Sequence, residues 1–120
     1  MRAIIIDPET QNVNEIEHNG DYKEIYALIG NECNTFEVPI TLPNGDSFYC
    51  DEEALYHDNI GGVIYPNWAY PLVGRIVVVN TNFTNGDTEA AKSSIEDIKR
   101  GLTFIKQDDS KMVKRFAQFR

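Results

Sequence analysis

The chain has 120 residues, 42% apolar and 25% charged, with a formal net charge of −8. That length supports one domain, residues 1–120, with a core of its own, and no apolar run approaches the roughly 18 residues that a membrane-spanning helix needs. So anionic a chain repels nucleic acid, and direct nucleic-acid binding is not expected.

Arg2 to Asp7 opens with a strand over Ala3–Ile6, an apolar stretch too short for a secretion signal. Asp7-Pro8-Glu9-Thr10 places Pro at the second position of a turn. Asn12 to Glu17 then reads as an edge strand that completes a hairpin. Asp21 with Glu24 three residues on makes a capping-box pattern. Tyr22, Ile25, Tyr26, Leu28 and Ile29 form an apolar stripe at helical spacing, and Gly30-Asn31 stops it, so a helix is expected over 21–30.

Thr35 to Leu42 and Asp46 to Cys50 read as strands joined by Pro43-Asn44-Gly45, an Asn-Gly hairpin signal. Pro39 assigns the first of them to an edge or a bulge. Asp51-Glu52-Glu53 reads as a solvated first helical turn leading into Ala54-Leu55-Tyr56, not as a metal or acid–base cluster. The next stretch carries the only Trp, Trp68, between Tyr65 and Tyr70, and Pro66 and Pro71 exclude a helix there. Ile76-Val77-Val78-Val79 follows. Four β-branched residues without polar alternation mark a strand covered on both faces, the one around which the chain is organised.

Thr81 to Asp87 is a polar loop with a single ring, Phe83. Asp87 or Thr88 is expected to cap a second helix through Glu89, Ala90, Ala91, Ile95 and Ile98, which Gly101 interrupts. Leu102 to Ile105 fits a short strand as well as a continued helix. Gln107 to Phe119 reads as a basic helix with Met112, Val113 and Phe116 on one side. The expected fold class is α+β, an antiparallel β-sheet core with one helix near residues 21–30 and two C-terminal helices.

No phosphate-cradling glycine loop and no nucleophile elbow occurs, so neither an enzyme nor a cofactor is expected. Cys33, Cys50, His18 and His57 are scattered without metal-ligand spacing, and no metal is expected. Charge, however, is divided: residues 1–98 hold four basic and seventeen acidic residues, whereas residues 99–120 hold seven basic and two acidic. The basic tail either packs on the acidic body of its own or a neighbouring subunit or forms a local anion site. What remains is rings near cations. Phe83, Tyr65, Trp68 and Tyr70 offer faces on which a base stacks, and Arg75, Arg100, Lys114, Arg115 and Arg120 offer donors for phosphate. Tyr65 and Trp68 fit plain core packing as well; Phe83, between Asn82 and Thr84, has no such neighbours in sequence.

Arg2-Ala-Ile-Ile-Ile-Asp-Pro, Ile25-Tyr-Ala-Leu-Ile-Gly, Asp51-Glu-Glu-Ala-Leu and Gly61-Gly with Leu72-Val-Gly-Arg-Ile-Val-Val-Val resemble a family of small phage and mobile-element proteins, over most of the chain up to about residue 105. A β core followed by C-terminal helices also resembles the phage Thoeris anti-defence sponge proteins. These sequester cyclic ADP-ribose-type signals, in some cases the cyclic oligonucleotides of CBASS-type immunity, without cleaving them. That resemblance implies a homo-oligomer in the cytoplasm of a host bacterial cell, with a cyclic nucleotide as its partner. It also implies Phe83 as the stacking ring and Arg115, with Lys111 and Arg120, as the cations. From another class, an acidic protein–protein inhibitor that imitates nucleic acid to block a host defence protein accounts for the charge of residues 1–98.

Overall fold

The computed structural model describes residues 1–30, 33–53, 61–66, 68 and 71–106. In chain order they form β1 (Arg2–Asp7), β2 (Asn12–Glu17), α1 (Tyr22–Ile29), β3 (Phe36–Thr41), β4 (Asp46–Asp51), β5 (Gly62–Ile64) and β6 (Leu72–Val73). Then come β7 (Ile76–Thr81), β8 (Thr88–Glu89), α2 (Ile95–Gly101) and β9 (Thr103–Ile105). The larger sheet has the order β2-β1-β7-β4-β3, with β8 added to β7, and a smaller sheet has the order β6-β5-β9. Every described pairing is antiparallel, so the α+β class with antiparallel sheets holds.

β7 lies at the centre, between β1 and β4, and is buried on both faces as its β-branched run requires. Ile76 and Val78 point into a core shared with Ile4, Ile6, Phe48, Val63, Leu72 and Ile98. Val77 and Val79 point the other way, onto Ala3 and onto Ile25 and Ile29 of α1. The larger sheet is thus the middle layer, with α1 on one face and the small sheet plus α2 on the other.

The local signals explain most of the elements. Asp21 caps α1 by accepting from the Lys23 amide at 2.9 Å, while Glu24 reaches past the cap to the Asn19 amide at 3.3 Å. Gly30, at φ 69°, closes the helix by donating to the Tyr26 carbonyl. The Asn44-Gly45 turn joins β3 to β4, and β3 is both an edge strand and shifted in register between Glu37 and Ile40, where Pro39 sits.

Three expectations are corrected. Thr88 and Glu89 do not begin a helix but pair with Thr81 and Asn80. The helix starts seven residues later, at Ile95, because the intervening amides of Ala91, Lys92 and Ser93 donate to the Arg2 carbonyl and to Asp46 instead. Ser94 caps it through the Asp97 amide at 3.0 Å. A pair of C-terminal helices is therefore not supported: α2 ends at Gly101, residues 103–105 form a strand, and the expected basic helix over 107–119 lies outside the described residues. Asp51, finally, does not open a helical turn; it closes β4 and is buried, and residues 54–60 lie outside the described residues.

The small sheet depends on one close approach. A Cβ at Gly62 would fall 2.3 Å from the Leu72 carbonyl oxygen and 3.2 Å from the Val73 Cα. Both are backbone atoms of the paired strand and cannot swing aside. Gly62→Ala is therefore expected to destabilise the fold by about 1–3 kcal/mol, measured by urea denaturation. A shift under about 0.5 kcal/mol would mean that β5 and β6 separate freely.

Candidate functional site

Two hairpin turns lie side by side at one end of the larger sheet. One, residues 42–45, joins β3 to β4 and closes through Gly45 N to Leu42 O at 2.9 Å. The other, residues 82–87, joins β7 to β8. There the Asn82 side chain accepts from the Thr84 amide and donates to Glu89, each at 2.9 Å, and the Asn85 side chain accepts from the Asp87 amide at 2.9 Å. Gly86, at φ 78°, donates back to the Asn82 carbonyl at 2.7 Å. The turns are tied to each other by Thr81 N to Gly45 O at 3.1 Å and by the Asn80 side chain to Asn44 O at 2.9 Å.

Beneath both turns lies Asp46, fully buried. Its carboxylate accepts from the Asn80 side chain at 2.9 Å, from the Lys92 amide at 3.0 and 3.1 Å, and from the Ser93 amide at 2.7 Å. Burial pushes its pKa up, but the Ser93 hydroxyl, the two amides and Asn80 outweigh that and hold it below the ordinary carboxylate value. Arg2 grips the same segment from the other side, donating to the Ala91 and Ser93 carbonyls at 3.0 and 2.6 Å. The backbone at 91–93 is consequently fixed from two directions.

Between the turns opens a concavity of ≈ 390 Å³ lined by Leu42, Pro43, Asn80, Phe83, Glu89 and Lys92, among others. The Phe83 ring is 72% exposed at its edge. A ring held in water by so many hydrogen bonds in its loop forgoes about 1.5–3 kcal/mol of burial. The exposure of this aromatic is therefore paired with an ordered loop and a neighbouring concavity. Lys92, also exposed, has no carboxylate partner among the described residues.

The other predicted site residues lie elsewhere. Tyr65 is half-buried with its ring edge-on to Phe48 at 5.0 Å, and burial raises its pKa, so it serves the core. Trp68, 37% exposed, follows in a turn closed on the Tyr65 carbonyl. Arg75 precedes β7 whereas Phe83 follows it, so the six-residue strand, roughly 20 Å long, lies between them. Arg75 donates to the Leu28 carbonyl at 3.3 Å and faces Asp7 at 3.6 Å, so its charge closes the end of α1. Lys111, Arg115 and Arg120 lie outside the described residues. Asp46, Glu89 and Lys92 are not marked as site residues in the sequence, since two acidic residues among nineteen and one isolated lysine carry no motif.

The cysteines offer no nucleophile. Cys33 faces the α1 side of the sheet and Cys50 the other. Burial, reinforced by the Asp51 charge, pushes the Cys33 thiol up to about 11, and burial raises Cys50 further still. Among the described residues no group of His, Cys, Asp and Glu is placed to hold a metal ion, and no helix is long and apolar enough to cross a membrane. No protein-family profile, curated protein or solved structure matches the chain.

Proposed function

We propose that this chain is a non-enzymatic phage counter-defence protein that captures a cyclic nucleotide immune signal, of the cyclic ADP-ribose or cyclic oligonucleotide type, in the host bacterial cytoplasm. The observation that carries this is the exposed, hydrogen-bond-braced Phe83 ring on the rim of a cleft that is also lined by the Lys92 ammonium, which has no carboxylate partner among the described residues. A base stacks on such a ring at little entropic cost, because the loop is already ordered. Sequestration needs tight capture without a reacting group, and a second subunit of a homo-oligomer closes the open side of such a pocket.

The test is to purify the protein from cells with active nucleotide-based immunity, denature it by heat, and analyse the filtrate by mass spectrometry. Release of an intact cyclic nucleotide is expected. A filtrate free of nucleotide, together with co-purification of a basic host defence protein, would overturn the proposal in favour of an acidic protein–protein inhibitor.

A further inference from the structure

We infer that the cleft between the two turns is built for a purine nucleotide bearing an exocyclic amino group, with Lys92 taking the phosphate and Glu89 accepting from the amine. This rests on Phe83 as the stacking ring and adds the ligand's other two contacts.

Most of the polar side chains of the cleft floor are already used. Asn80 donates to Asn44 O and to Asp46, the Asn44 amide donates to the Ser93 hydroxyl, and the Thr81 hydroxyl donates to Ser47. Two ionisable groups line the remaining wall, Glu89 and Lys92. Glu89 spends one oxygen, Oε1, on the Asn82 amide at 2.9 Å, which orients the carboxylate and leaves its second oxygen with acceptor capacity. Lys92 extends from a backbone that Asp46 holds at its amide, with Ser93 held next to it. An anion alone would be repelled by Glu89, and a cation alone by Lys92. A ligand that donates at one end of a flat ring system and carries a phosphate at the other satisfies both, and an aminopurine nucleotide is such a ligand. Replacing the amine by a carbonyl sets an acceptor against a carboxylate, which the cleft discriminates against.

The probes are AMP and IMP, titrated into the full chain and followed by NMR chemical shifts and calorimetry. AMP is expected to bind with a dissociation constant on the order of 1 mM, shifting the resonances of Phe83, Glu89 and Lys92. IMP is expected to bind about tenfold more weakly, Lys92→Gln to weaken AMP about tenfold while Lys92→Arg retains it, and Glu89→Gln to remove the preference for AMP. Circular dichroism melts check that each variant folds. Equal binding of AMP and IMP, an unchanged affinity in Lys92→Gln, or shifts confined to another surface would each overturn the inference. If Phe83→Ala weakens AMP while the Lys92 and Glu89 variants do not, only the two added contacts fail; if Phe83→Ala also leaves AMP unaffected, the ring itself is not the binding element.

Discussion

Replacing Asp46 with alanine is expected to cost about 3–5 kcal/mol of folding stability, the largest loss from any single polar side chain in the described structure. The carboxylate is fully buried and is the acceptor for the Lys92 and Ser93 amides and for the Asn80 side chain. Its removal leaves the Asn80 and Ser93 donors buried without this acceptor, and each such donor carries a desolvation penalty of about 1–3 kcal/mol, to which the loss of the part-buried Lys92 bonds adds. A domain of this size holds only about 5–15 kcal/mol in all, so the variant should melt at least 10 °C lower, roughly, than the parent. By contrast Asp21→Ala, which removes the exposed cap of α1, should cost about 1 kcal/mol.

The effect is expected to depend on pH in a defined direction. The folded-state pKa of Asp46 lies below its ordinary value, so the carboxylate's contribution is complete above the unfolded value of about 3.9 and is lost as pH falls through the lower, folded value. The stability difference between parent and Asp46→Ala should therefore be constant from pH 7 to about 5 and shrink below pH 4. Denaturant unfolding of both proteins at several pH values measures it. A difference that stays the same down to pH 3 would show that the charge on Asp46 contributes nothing.

Phe83→Ala is expected to do the reverse, leaving stability within about 0.5 kcal/mol while weakening ligand capture roughly 5- to 150-fold. The ring is 72% exposed and belongs to neither core cluster, so the fold has little to lose. The loop around it is closed by Asn82, Asn85 and Gly86, none of which needs the ring. Phe83→Tyr keeps an aromatic face and should keep affinity. Calorimetry with cyclic ADP-ribose and cyclic dinucleotides, beside thermal melts, separates the two effects. A variant that binds such a signal as tightly as the parent would remove the stacking role; one that melts far lower would show that Phe83 packs against residues outside those described.

How much of this was legible beforehand depends on how local each signal is. Ile76–Val79, the Asn44-Gly45 turn and the Asp21 cap act over a few residues, and all three appear where the sequence places them. The small sheet is different. Its strands are two or three residues long and pair across gaps of up to about forty residues, so neither periodicity nor propensity marks them. The start of α2 was misplaced for a related reason: Asp87 and Thr88 are good caps in isolation, but the amides after them are claimed by Asp46 and Arg2, contacts that only the folded chain creates. The cleft followed the same pattern. Phe83 was conspicuous by its polar neighbours, whereas Lys92 and Glu89 acquire meaning only when β8 brings them beside the ring.

The shared central strand also bears on biosynthesis. β7 is where the sheet's two flanks meet, taking β1 on one side and β4 on the other, and it is the eighth strand or helix of the described chain to leave the ribosome. Until it emerges, the hairpin of β1 and β2 holds Ile4 and Ile6 on an open edge with nothing to pair against, and the β3–β4 hairpin waits likewise. At about 5–20 residues per second that interval lasts several seconds. Nascent chains are therefore expected to be most vulnerable to clumping while fewer than about eighty residues have emerged from the ribosome, and substitutions that weaken β7 should lower the yield of soluble protein more than their effect on the finished fold suggests.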